Sequence, residues 1–330
     1  MQYDFIAIGD MVTDAFIRLK NPAAHIDIDK DVREICMRFA DKIPYEEVYV
    51  IPAVGNSANA AVSAARLGLK SAYVSNIGDD NFGKECMATF KKEKIGTEFI
   101  KINKGKKTNY HFVLWFDDDR TILVKHHSYK YELPDIGEPR WIYFSSIGEE
   151  AVDFHDTIVS YLDKHPKIKL AFQPGTFQIK IGSDRLKKVY ARSELFFCNK
   201  EESQRILNSK ENDIKKLLKG VNHLGPKITV ITDGKEGAYV YDEYEDKYWS
   251  MPIYPDPAPP YERTGAGDSF SSTFTVALGL GLPVKEALKW GPINSMSVVQ
   301  KVGAREGLLT RRELEQFLRD APKDYFPKEI

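Results

Sequence analysis

A glycine-rich segment near residue 265 holds the densest set of residues that could do chemistry. It reads Arg263-Thr264-Gly265-Ala266-Gly267-Asp268, and a helical pattern over 269–280 follows it. Glycines at a helix start let a ligand approach the backbone, and the free N–H groups there favour an anion such as phosphate. A carboxylate beside that anion is unfavourable unless it has its own task, such as taking a proton from an attacking hydroxyl. The alternative interpretation is a turn with a helix-stabilising aspartate.

Three further polar clusters lie where predicted strands end or a predicted helix begins. Gly9–Asp14 follows the first strand, Gly55–Asn59 precedes a helix, and Asn199–Glu202 follows a later strand. Ligands of open α/β sheets bind at such strand ends. Taken alone, each cluster is typical of turn and cap chemistry, and Asn56 or Ser57 is predicted to cap its helix. The pair His126-His127 is interpreted as a solvated strand end.

The hydrophobic pattern alternates between short apolar runs and helical stretches, which predicts right-handed βαβ units and a mainly parallel sheet covered on both faces. The predicted strands are 5–9, 71–77, 141–144, 169–172, 195–197 and 228–231. The predicted helices are 56–67, 82–94, 152–164, 184–190, 200–207, 269–280 and 285–302.

Two segments interrupt this rhythm and predict a small accessory sheet. Residues 16–50 contain alternating apolar pieces, and 108–125 reads as a hairpin with its turn at 117–119. No linker is long enough to separate independent domains. We therefore expect one domain over 1–330.

Composition excludes several classes of protein. Lysine plus arginine number 47 and aspartate plus glutamate 48, so the net charge of −1 argues against a nucleic-acid binder. No apolar run of about 18 residues indicates a membrane span, and residues 1–18 do not read as a secretory signal. Three dispersed cysteines, Cys36, Cys86 and Cys198, fit a reducing compartment, so we expect a cytoplasmic protein.

Together, four motifs in order resemble the PfkB carbohydrate kinases, the ribokinase-like family. Thr264–Asp268 is similar to the family's C-terminal signature, and Gly55–Ala61 to its N-terminal signature. Asn199 and Glu202 match its Asn-x-x-Glu element, and Thr232–Gly237 resembles its nucleotide-loop turn.

The resemblance implies a three-layer α/β/α ribokinase-like fold with a mainly parallel central sheet and a small β-sheet lid. The lid would come from inserted segments at roughly 15–52 and 105–127. It also implies ATP-dependent phosphorylation of a substrate hydroxyl, with Asp268 as general base and the N–H groups of Gly265, Ala266 and Gly267 as the anion hole.

The resemblance further assigns binding residues and cofactors. The substrate-binding residues would be Asp14, Gly55, Asn56 and Asn59, and the nucleotide-binding residues Asn199, Thr232, Gly234, Gly237 and Asn294. Glu202 would hold Mg²⁺ through water. Glu262 stands where many members have an aspartate that contributes to a monovalent-cation site, which leaves K⁺ activation open. Gln173–Thr176 replaces the family's usual sequence in that loop, so no role is carried over to it.

The sequence leaves several hypotheses for the substrate. A small sugar fits the polar set Asp14, Asn56 and Asn59. An adenosine kinase-like nucleoside kinase would stack a base on Tyr110, Phe112, Trp115 and Phe116. The alternative is that alternate residues of this hairpin simply pack the inner face of the lid. A sugar-phosphate kinase would need the basic residues Lys104, Lys106, Lys107, Arg120 and Lys125. A non-catalytic ligand-binding protein is the reading from another class, and a homodimer through the lid is expected.

Overall fold

The computed structural model describes residues 2–21, 23–29, 32–117 and 119–330, so position 118 of the predicted turn lies outside the described residues. The strands are β1 (Phe5–Ile8), β2 (Val12–Leu19), β3 (Ala24–Asp29), β4 (Val32–Met37), β5 (Tyr45–Val54), β6 (Ser71–Gly78), β7 (Ile100–Asn103), β8 (Asn109–Phe116), β9 (Asp119–Leu123), β10 (Trp141–Phe144), β11 (Lys169–Phe172), β12 (Leu195–Asn199), β13 (Ile228–Thr232), β14 (Ala238–Asp242), β15 (Lys247–Met251) and β16 (Lys328–Glu329). The helices are α1 (Asn56–Arg66), α2 (Asn81–Lys92), α3 (Val152–Lys164), α4 (Thr176–Ile181), α5 (Lys187–Arg192), α6 (Lys200–Ile206), α7 (Ile214–Asn222), α8 (Ala266–Gly279), α9 (Val284–Leu288), α10 (Trp290–Val298) and α11 (Arg311–Arg319).

The central sheet has the strand order β16-β15-β14-β13-β12-β11-β10-β1-β6-β7. The strands from β13 to β7 run parallel, and β14, β15 and β16 add antiparallel pairs at the other end. Successive strand residues bury on opposite faces: Phe5 and Ala7 pack with α1 and α8, while Ile6 and Ile8 pack with α3 and α7. Because both faces are covered, the strands are apolar runs. The predicted α/β/α fold with a mainly parallel sheet is confirmed.

A second sheet, here called the accessory sheet, has the order β5-β2-β8-β9. Strand registers align Asp14 with His111 and Trp115 with Arg120. Alternation along a strand therefore puts Asp14, His111, Trp115 and Arg120 on one face, which we call the inner face because Trp115 packs against Tyr261 of the main domain. Strands β3 and β4 form a separate hairpin.

Helix boundaries differ from the prediction in three places. The pattern over 269–280 begins earlier, at Ala266. The predicted helix 285–302 divides into α9 and α10 at Lys289, because Pro292 has no N–H to bond the Leu288 carbonyl. Helix α5 begins three residues later than expected. Helices α4, α7 and α11 were not predicted. Within the part of the chain that the structure describes, no helix is long and apolar enough to cross a bilayer.

Candidate active site

The start of α8 is built to accept an anion. Gly265 has φ of 85° and caps the helix, and a Cβ there would lie 2.2 Å from the Ala304 Cβ, so only glycine fits. A Cβ on Gly267 would meet nothing within 4 Å, so this residue faces open space. The first N–H groups of a helix have no carbonyl partner within it. Those of Ala266 and Gly267 are therefore available to phosphate oxygens.

Asp268, in the first turn of α8, has its carboxylate held by three side-chain amides. Asn56 Nδ2 donates to Oδ1 at 2.8 Å, Gln173 Nε2 donates to Oδ1 at 3.1 Å, and Asn59 Nδ2 donates to Oδ2 at 3.0 Å. Burial raises the pKa of Asp268, while the amide donors counteract part of that rise. A carboxylate that has a raised pKa and is held in one orientation is suited to proton abstraction.

Gln173 is a site residue that the sequence did not reveal. Its Oε1 accepts hydrogen bonds from the Tyr143 and Ser271 hydroxyls, the latter at 3.1 Å. These bonds orient the amide so that Nε2 points to Asp268. Gln173 follows β11 at the carboxyl end of the central sheet, and this position was the signal that could have identified it.

The predicted side-chain cap of α1 is wrong. Gly55 is the N-cap, with φ of 117° and no side-chain cap bond. Asn56 instead donates to Asp268, and Ser57 donates to the Ile8 carbonyl at 2.6 Å. A Cβ on Gly55 would lie 2.6 Å from the Asp10 carbonyl oxygen. The turn therefore requires glycine, and it leaves both side chains free for tertiary contacts.

Asp14 lies on the inner face of the accessory sheet, 3.3 Å from His111 Nδ1. Both side chains are largely buried. The Asp14 atom in this contact is Oδ1, which makes no hydrogen bond within the protein, and His111 Nε2 makes none either. Asn59 Oδ1 is also buried without a partner. Buried polar atoms are nearly always paired. Three orphaned atoms on predicted substrate-binding residues and their neighbour therefore indicate that a polar ligand completes them.

His126 is not the solvated strand end that the sequence suggested. Its Nδ1 lies 2.8 Å from Asp10 Oδ2, and Tyr131 donates to Asp10 Oδ1 at 2.7 Å. Asp10 is thus buried and fully partnered. A buried carboxylate is destabilising unless it has such partners. These contacts therefore connect the segment after β9 to the end of β1.

A cleft of about 570 Å³ opens beside the start of α8. Of the predicted nucleotide-binding residues, Asn199, Thr232, Gly234 and Gly237 line it, together with Ala266 and Gly267. Its apolar wall includes Phe270, Pro292, Met296 and Val299. A nucleotide whose base packed against this wall would have its phosphates near the start of α8.

Asn294 does not belong to this cleft, so its predicted role is corrected. It is 0 % exposed, its Nδ2 donates to Thr273 Oγ1 at 2.7 Å, and its Oδ1 accepts from the Leu309 N–H at 2.9 Å. The next residue, Ser295, lines the cleft and donates to the Ala266 carbonyl. The reason is helical register: a shift of one residue turns a side chain about 100° around the helix.

Asn199 and Glu202 form a capping box at the start of α6. Asn199 Oδ1 accepts from the Glu202 N–H at 2.8 Å, and Glu202 Oε2 accepts from the Asn199 N–H at 2.9 Å. Burial raises the pKa of Glu202, and the charge of Asp268 adds to this rise. Among the described residues no group of three or more histidines, cysteines or carboxylates could hold a metal by itself. A single carboxylate beside a bound nucleotide would fit Mg²⁺, which keeps water and phosphate ligands.

Glu262 is 0 % exposed and already has donors on both oxygens. Thr264 donates to Oε1 through its N–H and its hydroxyl, at 2.8 and 2.6 Å, and the Gly303 N–H lies 3.4 Å from Oε2. Arg120 Nε approaches Oε1 to 4.0 Å. A permanent positive charge therefore lies beside the carboxylate at which a monovalent cation was left open, and this arrangement does not fit such an ion at Glu262.

The nucleoside reading loses part of its support from the geometry of β8. Alternation puts Trp115 on the inner face, where it is fully buried, and Tyr110 and Phe112 on the opposite face. Tyr110 instead packs between Phe82 and Phe112, at ring distances of 4.7 and 5.2 Å. The four aromatic residues therefore do not form one stacking surface.

This fold, with a phosphate-type helix start beside an amide-held carboxylate, defines a ribokinase-like protein. The model of the pfkB family of carbohydrate kinases matches residues 23–311, and the chain belongs to that family. Ribokinase from Bacillus subtilis (strain 168) is 28% identical over 273 residues, 80% of this chain and 87% of that protein. Cytidine kinase from Thermococcus kodakarensis is 26% identical over 262 residues, which cover 76% of this chain and 88% of that protein. The structure of Arabidopsis thaliana ribokinase complexed with ribose and ATP has a TM-score of 0.78 at 17% sequence identity. The match covers 97% of this chain and 99% of that chain. The last likeness shows the shared fold.

Proposed function

We propose that this protein transfers the γ-phosphoryl group of ATP to a hydroxyl of a small sugar. The observation that carries the proposal is the Asp268 carboxylate, held by three amides at the helix start where Ala266 and Gly267 offer unpaired N–H groups. A base and an anion site are thereby adjacent, as in-line phosphoryl transfer requires.

In the proposed reaction, Asp268 takes the proton of the substrate hydroxyl while the hydroxyl oxygen forms a bond to the γ-phosphorus. The bond from that phosphorus to the β–γ bridging oxygen breaks, and ADP leaves with the electron pair. The N–H groups of Gly265, Ala266 and Gly267 stabilise negative charge on the transferring group. Mg²⁺ would neutralise phosphate charge and would be held through water by Glu202.

The nucleotide would occupy the cleft lined by Asn199, Thr232, Gly234 and Gly237. The sugar would bind between Asp14, Asn59 and Asn56. Carboxylate and amide oxygens accept hydroxyl protons, and the orphaned oxygens of Asp14 and Asn59 are acceptors of this kind. The domain arrangement that we propose is one kinase domain over 1–330 with the accessory sheet as the lid.

The second candidate is a nucleoside kinase on the same fold. It is favoured by the cytidine kinase among the relatives. A sugar-phosphate kinase is disfavoured, because Lys104, Lys106, Lys107 and Lys125 are exposed on the surface.

A panel of free pentoses, hexoses, sugar phosphates and nucleosides separates these readings. Each compound is tested for thermal stabilisation, since a specific ligand stabilises the native state by mass action, and then for ATP-dependent turnover. We expect a free sugar to give both responses. Stabilisation and turnover confined to nucleosides would establish the second candidate, and binding of a compound without turnover of any would favour a non-catalytic protein.

The accessory sheet also supports the expected homodimer. Val48, Val50, Phe112 and Leu123 are exposed on the face opposite to Asp14 and Arg120. Burying such a row of apolar side chains between two copies would remove it from water. Sedimentation of the wild type against Val50→Lys tests this pairing: a dimer that becomes a monomer supports it, and a monomeric wild type contradicts it.

A further inference from the structure

Arg120 extends from the accessory sheet into the cleft of the main domain. It is on β9 opposite Trp115, on the inner face, and it lines the cleft together with Asn199, Ala266 and Gly267. A cation from a different sheet thus lies among the groups proposed to bind phosphate.

The hydrogen bonds of Arg120 leave binding capacity unused. Its Nη1 donates to Asp119 Oδ1 at 3.0 Å, while its Nε is buried, makes no hydrogen bond and lies 4.0 Å from Glu262 Oε1. The positive charge of Arg120 also reaches Asp268: burial raises the pKa of Asp268, and Arg120 is among the groups that oppose the rise. A planar guanidinium matches a phosphate group with two parallel donors.

Glu262 explains why the guanidinium lies at this point. A fully buried carboxylate destabilises the fold unless hydrogen-bond donors and an opposite charge surround it. Thr264 and Gly303 supply donors, and Arg120 supplies the charge at 4.0 Å from Oε1. A monovalent cation at the same carboxylate would bring two like charges together.

We propose that Arg120 binds the transferred γ-phosphoryl group, and that Glu262 positions it in place of a monovalent cation. This inference rests on the proposed function. Arg120 then contacts the reacting group directly, whereas Glu262 acts through Arg120. The enzyme consequently works without K⁺.

Nucleotide binding tests the contact without requiring turnover. Only the ATP analogue with a nitrogen-bridged, non-transferable γ-phosphate carries the group that Arg120 would bind, and ADP lacks it. Arg120→Ala should weaken binding of the analogue by about tenfold and that of ADP by less than about twofold, because a charged hydrogen bond is lost only with the former. Equal effects on both nucleotides, or no effect, would overturn the contact.

Turnover tests the role of the charge. Arg120→Ala should lower kcat by about 10²–10³-fold with little change in the sugar KM, and Arg120→Lys should fall between. Arg33→Ala is the matched control, because Arg33 is exposed on β4 and does not line the cleft. Retention of wild-type kcat by Arg120→Ala would refute the proposal. Should that variant unfold in thermal melts, Arg120→Lys carries the same comparison.

Ion replacement tests the role of Glu262. Wild-type kcat in KCl and in choline chloride of equal ionic strength should agree within about twofold. Glu262→Gln should lower kcat and weaken binding of the ATP analogue more than that of ADP, an asymmetry that a merely structural role would not produce. Strong K⁺ activation of the wild type would overturn the replacement. Absence of wild-type turnover with every acceptor would instead sink the proposed function, while the binding comparison would still report on Arg120.

Discussion

The central sheet and the accessory sheet bury their residues differently, and they contribute different groups to the site. Strands β1 and β10 are buried on both faces, and the elements at the carboxyl end of their sheet carry Asp268 and its amides. The accessory sheet leaves one face partly exposed and supplies Asp14, His111 and Arg120 from the other. We infer that the central sheet fixes the reacting groups and the accessory sheet selects and clamps the ligands. Changes on the central sheet should mainly lower kcat. On the accessory sheet, changes at Asp14 should mainly alter sugar binding, whereas Arg120, which reaches the proposed phosphate site, should affect kcat.

The largest expected effect is that of Asp268→Asn. The amide keeps the shape of the side chain but cannot take a proton, so kcat should fall by about 10²–10⁴-fold. Substrate affinity by calorimetry should stay near that of the wild type. A variant that keeps its turnover would remove Asp268 from the chemistry.

A smaller effect, and one on binding, is expected for Asp14→Asn. Losing a charged hydrogen bond to a substrate hydroxyl should raise the sugar KM by about 10–100-fold. Thermal stability should change little, because Asp14 Oδ1 makes no hydrogen bond and has only the 3.3 Å contact with His111 Nδ1.

Asp10→Asn serves as the contrast. Asp10 has both oxygens partnered, so its loss should lower Tm more than the loss of Asp14 does. If Asp14→Asn lowers kcat as much as Asp268→Asn with KM unchanged, the division of roles between the sheets is wrong.

Gly267→Ala should reduce activity without reducing stability. The added methyl group meets no atom within 4 Å and suits a helix, so Tm should not fall. It projects into the proposed phosphate site, so kcat/KM for ATP should fall by about tenfold, as small misplacements of reacting groups do. Unchanged ATP kinetics would place the phosphates elsewhere.

The most subtle effect concerns pH. Burial raises the pKa of Asp268, so kcat/KM should rise with pH as the carboxyl loses its proton. Gln173→Leu removes a donor that favours the charged form. The acidic limb of the profile should therefore move to higher pH, with smaller change on the alkaline plateau. A limb that stays in place or moves to lower pH would contradict the role of Gln173.

Much of the scaffold was readable from the sequence, because buried parallel strands such as β1 and β10 are apolar runs. The resemblance also led to Asp268 and Asn59, which the structure brings within 3.0 Å. Those two residues are far apart in the chain, and only the motif order connected them.

What the sequence did not reveal depends on tertiary partners. Gln173 and His126 look like ordinary loop residues until Asp268 and Asp10 are placed beside them. Asn294 was misplaced because the register of α10 depends on the break before Pro292. The cap of α1 was misassigned because Asn56 found a carboxylate outside its own helix.

The most direct test of the central claim follows the phosphorus atom itself. Wild-type protein with ATP, Mg²⁺ and the best-binding sugar is observed by ³¹P NMR. The account predicts a phosphate monoester on the sugar that accumulates in step with ADP, and no ester with Asp268→Asn. Release of inorganic phosphate in place of an ester, or ester formation by the Asp268→Asn variant at the wild-type rate, would contradict it.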